Sequence, residues 1–502
     1  MPPRLPDEAR LKEMLFSALA FARTKVDYAD VLCERVTRIE LQQLSDRLIS
    51  KPFNAKSRVQ LRLLSGGKKA EIKVGTLSPE PLRTAIVNGT TLLQALPEPE
   101  RPVRLAPIPN PNRVTYGHAA PRRFPAAIIF KALLQGISNL ARQCESRHAA
   151  RRLEIKPEFW FFSQREEKVI ADSEGVFKTQ VMPRTFLQLL TRVKGPDGRL
   201  TQTRARLGLP LSYDSLFRRK QKGLVLAPAT ARHIIDWLEK TVELQDAITL
   251  SPEQISEFSH LVLHYTTIGV FVHEALGHNF EADIVRAGGS GIIDRDGKPR
   301  GEVASEDINI LDGPLNGNFR LGFGTEYIDD EGVEVQTKEL ARNGRVTGMI
   351  LDRETAAHFN LPPNGGAFSE MGDQRIPRMS NTYLLPASRH NWYRTLEQLI
   401  GDVKKGIVLI GTSGGAVSRD GMSSSVLIGR LIENGRITKT VRPSNFSAKT
   451  LHALRYVDAF AGPISIDDAG FCGKGQTRYV GDGGPTWTRI RNNEFVSLSV
   501  QG

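Results

Sequence analysis

Two asparagine–glycine pairs constrain how the second half of this 502-residue chain can fold. Asn343-Gly344 and Asn434-Gly435 each lie between runs in which polar and apolar residues alternate. Such a pair accepts the positive φ angles of a two-residue turn and is the strongest short-range signal for a β-hairpin. From Gly288 onward the sequence is rich in glycine and in strand-and-turn patterns. The second half is therefore expected to be mostly antiparallel sheet.

The first half mixes helical and strand patterns. Apolar residues recur at helical spacing within residues 7–25, and Ser78 followed by proline predicts the start of another helix. Eight prolines within residues 97–125 predict an extended loop. Further segments predict strands at 29–44, 58–64, 70–74, 154–172 and 176–193, and a helix at 126–151.

A chain of this length is too long for one compact core, so we predict two domains. The fold class is α+β. Residues 1–225, which include the proline-rich loop, are expected to form a domain of helices packed on antiparallel strands. Residues 226–502 are expected to form a sheet-rich domain that contains one functionally important helix near its start.

Composition narrows the cellular setting and the class of partner. The chain has 40% hydrophobic and 25% charged residues, no apolar run of about 20 residues, and no apolar stretch near Met1 that resembles a secretory signal. Three cysteines are too few for a disulfide framework, so a cytoplasmic location is predicted and no membrane partner is expected. The net charge is +13, but no nucleic-acid motif accompanies it, so nucleic acid is not expected as a partner.

A candidate metal-binding motif lies in residues 271–283, FVHEALGHNFEAD. It contains His273, Glu274 and His278. Two imidazoles can bind a catalytic zinc, and a neighbouring carboxylate can take a proton from water as the general base. The alternative is a helix with two incidental histidines that pack against their neighbours. These residues alone leave both interpretations open.

The two histidines are five residues apart, whereas the commoner metalloprotease motif separates them by four. Five residues of regular α-helix turn through about 500°, which leaves the second imidazole about 140° from the first. Both can therefore face one metal only if the helix contains a π-type turn or ends near Gly277.

A catalytic zinc site needs a third protein ligand. Glu281 and Asp283 follow on the same segment, and Cys472 lies far downstream before a Gly-Lys-Gly turn. A buried apolar cysteine would also explain Cys472. Spacing does not choose between these candidates.

Nearly the whole chain resembles the TldD/PmbA family of metallopeptidases. The resemblance rests on segments in a fixed order: AFARTKVDYADVLCER, ADSEGVFKTQVMPRTFLQLL, HEALGHNFEAD, GFGTEYIDDEGVEVQTKELARNGRVTGMILDR, IPRMSNTYLL, LIENGRITK, and CGKGQ followed by GGPTWTRI. The stretch Cys472–Gln476 has one residue fewer than is usual in the family.

The resemblance implies that His273, His278 and Cys472 are zinc ligands and that Glu274 is the catalytic glutamate. It implies a zinc-dependent peptidase that hydrolyses unfolded peptides or small, partly unfolded proteins with metal-activated water. It also implies a dimer, either with a second copy or with a related subunit that lacks the motif.

The sequence also suggests two substrate-binding residues and an alternative function. Arg378 and Asn381, in the segment IPRMSNTY, are candidate substrate-binding residues because they can recognise carboxylate or carbonyl groups, although a turn stabilised by its own polar groups would explain them too. The alternative function is a non-catalytic assembly or peptide-binding partner with a structural zinc, which a closed four-ligand site would favour.

Overall fold

A computed structural model describes residues 7–44, 47–111, 114–117, 125–220, 223–371, 373–417, 421–442, 444–449 and 452–500. The first six residues and part of the proline-rich loop, 112–113 and 118–124, lie outside the described residues.

The helices are α1 (Glu8–Arg23), α2 (Pro79–Ala95), α3 (Ala126–Arg147), α4 (Pro228–Glu243), α5 (Pro252–Ser256), α6 (Tyr265–Ala275), α7 (Ala282–Ala287), α8 (Arg353–Phe359) and α9 (Leu396–Ile400). The strands of the first half are β1 (Tyr28–Leu44), β2 (Arg47–Ser65), β3 (Lys68–Val74), β4 (Val114–Gly117), β5 (Glu154–Asp172), β6 (Phe177–Lys194), β7 (Leu200–Leu209), β8 (Phe217–Lys220) and β9 (Gly223–Leu226). Those of the second half are β10 (His260–His264), β11 (Ile308–Asp312), β12 (Lys338–Arg342), β13 (Arg345–Val346), β14 (Ala367–Phe368), β15 (Ile376–Pro377), β16 (Thr382–Pro386), β17 (Trp392–Tyr393), β18 (Lys405–Val417), β19 (Met422–Glu433), β20 (Arg436–Val441), β21 (Ser444–Ala448), β22 (Val457–Gly473), β23 (Thr477–Arg491) and β24 (Val496–Val500).

The first sheet is built mainly from long antiparallel hairpins. Its order is β3-β2-β1-β5-β6-β4, with β7 also paired to β6. Helices α1 and α2 bury their apolar residues against β1, β2 and β3, in agreement with the helical spacing of residues 7–25. Ser78 precedes α2 and Pro79 opens it, as the sequence predicted.

The second sheet has the order β13-β12-β11-β16-β23-β10-β18-β19-β21-β24, with β20 beside β19 and β22 beside β23. Both predicted asparagine–glycine hairpins are present: they join β12 to β13 and β19 to β20. All four residues of the two turns have positive φ, between 48° and 74°, as a type I′ turn requires. The α+β fold class is thus confirmed.

Helix α4 joins the two halves of the molecule. It packs against α3 and β7, and its apolar residues share one buried cluster with β5 and β6 on one side and β18 and β19 on the other. The strands up to β7 belong to the first sheet and those from β10 onward to the second, except β14 and β15, which pair only with each other; the β8–β9 hairpin lies between the two sheets along the chain. A boundary near residue 225 remains a prediction. Among the described residues no helix combines the length and apolarity needed to cross a membrane.

Candidate metal centre

The motif helix ends between its two histidines. Helix α6 stops at Ala275, Leu276 departs from helical geometry (φ −121°, ψ −38°), and residues 277–280 form a 3₁₀ turn. This break brings the imidazole of His278 back beside that of His273, with ring centroids 5.2 Å apart and ring planes nearly perpendicular. Of the two solutions that the spacing allowed, an early helix end is the one adopted.

Close packing fixes α6 in the interior of the second domain. The helix lies against β23, β18 and β16, and most of its residues are buried. At Gly269 the helix backbone approaches the strand so closely that a Cβ atom there would lie 2.6 Å from the backbone nitrogen of Gly483. Glycine at this crossing therefore sets how near the motif comes to β23.

Cys472 reaches the same point from the distant end of β22. Its Sγ lies 3.5 Å from Nε2 of His278, and the ligand atoms of Cys472, His273 and His278 all lie within 4.8 Å of one another. Zinc–sulfur and zinc–nitrogen bonds of roughly 2.3 and 2.0 Å in tetrahedral geometry put sulfur and nitrogen about 3.5 Å apart. The donor set and its spacing therefore fit a zinc ion.

Two cationic side chains, the half-buried Lys474 and the buried Arg378, hold the loop after Cys472 in place. Nζ of Lys474 donates to Asp283 Oδ1 (2.8 Å), Glu281 Oε2 (3.0 Å) and the carbonyl oxygen of Pro377 (2.9 Å). The guanidinium of Arg378 donates to the carbonyl oxygens of Cys472 and Gln476, both at 2.9 Å. The shortened Cys-Gly-Lys-Gly-Gln segment thus has a defined geometry.

Each of the two histidines is hydrogen-bonded to a carboxylate through Nδ1. Nδ1 of His273 lies 3.0 Å from Oδ1 of Asp482, and Nδ1 of His278 lies 2.9 Å from Oε2 of Glu281. Such carboxylate–histidine pairs fix the tautomer and leave Nε2 free for a metal. Glu281, one of the alternative third ligands, thus contacts His278, and Asp283 contacts Lys474. Sequence reasoning missed Asp482, whose available signal was an acidic residue among glycines in GDGGP.

The electrostatics of the pocket favour a bound cation. Burial acts to raise the pKa of the Cys472 thiol, but the two imidazoles outweigh it and lower that pKa to about 5. Burial likewise acts to raise the pKa of Glu281, while His278, Lys474 and Arg378 lower it to about 2. The thiolate of Cys472 and the carboxylate of Glu281 thus lie ionised beside the two imidazoles, and negative groups of this kind favour a dication.

Glu274 projects from α6 beside the three possible ligands. Its Oε2 lies 4.0 Å from Nε2 of His278, and its side chain is 17% exposed. Burial raises the pKa of this carboxyl. A Cβ atom at Gly415 of β18 would lie 2.7 Å from Cγ of Glu274, so a glycine at this position makes room for the carboxylate.

Arg378 and Asn381, the two candidate substrate-binding residues, lie inside the protein, and a role in substrate binding stays a prediction. Both side chains are buried. Oδ1 of Asn381 accepts a hydrogen bond from the backbone of Gly324, and its Nδ2 donates to Thr325. Their polar groups hold backbone segments around the site, because a buried polar side chain must find partners inside the protein.

Comparison with known proteins places these features in context. Residues 257–495 match a family model described as the PmbA/TldA metallopeptidase C-terminal domain. A metalloprotease of Methanothermobacter thermautotrophicus is 38% identical over 257 residues, which are 51% of this chain and 53% of that protein. A zinc metalloprotease TldD homolog of Saccharolobus solfataricus is 29% identical over 228 residues, 45% of this chain and 48% of that protein. The chain thus spans about half the length of these relatives.

A solved structure shows the same fold over almost the whole chain. TldE from Thermococcus kodakarensis superimposes with a TM-score of 0.70 at 15% identity, covering 96% of this chain and all of that one. The likeness extends to the first domain, which the family model does not reach.

Proposed function

We propose that this chain is a zinc-dependent peptidase of the TldD/PmbA family, acting on unfolded peptides or small, partly unfolded proteins. The observation that carries this proposal is the convergence of His273, His278 and Cys472, all within 4.8 Å, beside the carboxylate of Glu274. Relatives named as metalloproteases, one of them as a zinc metalloprotease, support it.

The proposed chemistry assigns one role to each group. His273, His278 and Cys472 would hold the zinc. Zinc bound there would polarise a peptide carbonyl and lower the pKa of a water, so that the water can lose a proton and attack the carbonyl carbon. Glu274 takes the proton from the attacking water and passes it to the leaving amine. Burial raises the pKa of Glu274, so the carboxylate is a better proton acceptor than an exposed one.

Three protein ligands leave the fourth coordination position of a zinc open. This distinguishes the hypothesis of a catalytic zinc from that of a structural zinc. A closed structural site needs a fourth protein ligand. Apart from Glu274, the carboxylates that contact the two histidines are those of Glu281 and Asp482, and each is hydrogen-bonded to Nδ1, on the far side of the ring from Nε2. This arrangement favours hydrolysis over a purely structural role.

An extended peptide has a strand edge available next to Glu274. Strand β10 pairs with β18 only up to Leu409, and among the described strands residues 412–417 of β18 pair with β19 alone. Gly415 lies on this edge, against Glu274. Strand addition binds a peptide through its main chain with little dependence on side chains, as a peptidase for unfolded substrates requires.

We also propose that the chain acts as the motif-bearing half of a dimer, with a second copy or with a motif-lacking relative. The fold shared with TldE supports such a pairing because related subunits can present related surfaces.

The first experiment measures zinc per chain in the untagged wild type and in Cys472→Ala. We expect about one zinc in the wild type and a sharp fall in the variant. Zinc that is unaffected by the substitution would remove Cys472 from the ligand set.

The second experiment measures cleavage of a denatured polypeptide by wild type, Glu274→Gln and the exposed control Glu257→Gln, each alone and with the motif-lacking relative added. Glu274→Gln should keep its zinc and lose roughly a hundredfold or more in rate, the usual effect of removing a general base. Equal rates in wild type and Glu274→Gln, unaffected by a chelator, would contradict the peptidase assignment. Zinc without any cleavage by the wild type would favour the non-catalytic alternative.

A further inference from the structure

A second group of metal-binding side chains lies far from the motif, at the packed helices α3 and α4. Cys144 lies on the last turn of α3, and His148 caps that helix, donating its backbone N–H to the carbonyl oxygens of Cys144 and Glu145. One helical turn therefore separates Cys144 from His148 and sets them on one face. Glu239 comes from α4, which packs against α3.

The three side chains already contact one another. Nε2 of His148 lies 2.7 Å from Oε2 of Glu239, and the ligand atoms of all three residues lie within 4.8 Å of one another. Among the described residues, this is the one such group apart from His273, His278 and Cys472. Cys144 is buried, whereas the side chains of His148 and Glu239 are 30% and 28% exposed. The group thus forms a shallow site with a thiol at its base and solvent at its mouth.

We propose that Cys144, His148 and Glu239 form a second, exchangeable site for zinc-like divalent cations that cross-links α3 to α4. One sulfur, one imidazole nitrogen and one carboxylate oxygen select zinc, cobalt or cadmium over magnesium and calcium, which prefer oxygen ligands alone. Three ligands leave a fourth position for water, which makes the ion exchangeable.

The geometry needs only a small adjustment. Nitrogen and oxygen ligands of a tetrahedral zinc lie roughly 3.4 Å apart, so the pair His148 and Glu239 must open by less than an ångström. Both side chains reach the surface, where their ends can shift without displacing the buried core. The metal replaces the proton that these two groups share, and the Cys144 thiol releases its own proton to the solvent.

Two features make this site weaker than the first. Burial and Glu239 raise the pKa of the Cys144 thiol to about 12, whereas that of Cys472 is lowered to about 5, so the metal must displace a more tightly held proton. Nη1 of Arg147 also donates to Oε1 of Glu239 at 3.0 Å and adds a positive charge beside the site. The Arg147→Ala variant should therefore bind the cation roughly threefold more tightly.

The test uses Co²⁺ and the full-length chain with Cys472→Ser, which removes the motif's thiolate from the spectrum. We expect a sulfur-to-cobalt charge-transfer band that saturates at about one cobalt per chain and disappears when Cys144→Ser is added. Cys33→Ala is the matched control, because Cys33 is also buried, has a thiol pKa raised to about 12, and belongs to no ligand group among the described residues. Absence of the band at cobalt concentrations far above those that fill the wild-type motif, or its persistence without Cys144, would overturn the proposal.

A second readout guards against misfolding of the Cys144 variant. Binding to the native state raises the unfolding temperature, and the rise grows with the logarithm of the free metal concentration once this exceeds the dissociation constant. Zinc added beyond one equivalent should raise this temperature in wild type and in Arg147→Ala but not in His148→Gln, which keeps all three thiols. An equal rise in His148→Gln and wild type would mean that the extra zinc binds elsewhere. Neither readout depends on peptidase activity, so the outcome is independent of the proposed function.

Discussion

At the scale of single residues, the geometry of the candidate centre depends on the carboxylates that hold the two histidines as much as on the histidines themselves. Asp482 on β23 and Glu281 after the motif each hold one imidazole through Nδ1. Glu281 also forms an ion pair with Lys474. Among the described residues, Asp482 contacts His273 but forms no ion pair with a lysine or arginine. The two carboxylates therefore differ in what their removal disturbs.

Replacing Asp482 with asparagine tests the orienting role. The amide keeps the size of the carboxylate but loses its charge, so the His273 imidazole is held less firmly and is less basic. We expect zinc affinity to fall about 10- to 100-fold, the usual effect of losing such a partner, measured by competition with a chromophoric chelator. Glu281→Gln should lose affinity and also loosen the Lys474 contact. Unchanged affinity in Asp482→Asn would show that packing alone orients His273.

Gly415 offers a test that separates catalysis from metal binding. A methyl group at this position would lie 2.7 Å from Cγ of Glu274 and must push the carboxylate aside. Gly415→Ala should therefore lower the turnover number at least tenfold, since a misplaced base costs rate, while zinc content stays the same. Gly75→Ala, where an added Cβ meets no atom within 4 Å, is the control. Loss of zinc along with activity would mean that the substitution disturbs the whole site.

At the scale of elements, the position of the motif depends on how closely α6 lies against β23. Both sides of the crossing are glycine, Gly269 on the helix and Gly483 on the strand. Since Asp482 precedes Gly483, the same crossing determines how Asp482 reaches His273. The crossing therefore links the packing of a helix to the geometry of a possible ligand.

Gly269→Ala should separate these two elements. The new Cβ would lie 2.6 Å from the backbone nitrogen of Gly483, and backbone cannot rotate away as a side chain can. Overpacking of this kind typically costs about 1–3 kcal/mol of unfolding free energy. We expect a lower midpoint of chemical denaturation and weaker zinc binding in the same variant. A lower midpoint with unchanged zinc affinity would show that the centre tolerates movement of α6.

Much of this element-level organisation could be predicted from sequence, because it depends on local signals. The asparagine–glycine turns, the proline after Ser78 and the early end of the motif helix near Gly277 each act within a few residues. Asp482 and the burial of Arg378 could not be predicted, because both depend on strands that meet only in the folded chain. Asp482 is 209 residues from His273, and no local pattern specifies that contact.

At the scale of the whole molecule, buried ion pairs join the first sheet to the second half of the chain. Asp30 of β1 accepts from Arg375 at 2.6 Å and pairs with Arg62 of β2, which also pairs with Glu331. All four side chains are almost fully buried. Removing one partner from such a set leaves a buried charge without compensation, which is strongly destabilising.

The pH dependence of stability follows from the pKa of Asp30. Burial acts to raise this pKa, but Arg375 and Arg62 outweigh it and lower it from 3.8 to about 2. The folded state therefore binds a proton less readily than the unfolded chain. The stabilisation, about 2 kcal/mol, is fully present above the unfolded pKa near 4 and is lost as pH falls through 2.

Asp30→Asn should therefore lower the unfolding free energy most at neutral pH. At pH 7 we expect a loss of about 3 kcal/mol, because the variant leaves Arg375 and Arg62 short of a charge partner. The gap between wild type and variant should narrow as pH falls from 4 toward 2, since wild-type Asp30 itself becomes protonated. Denaturation midpoints across this range measure the gap, with Glu154→Gln, which removes an exposed ion pair to Lys156, as the control that should show almost none. A gap that stays constant from pH 7 to pH 2 would mean that the carboxylate's charge does not hold the two halves together, and that Asp30 acts only through the shape of its side chain.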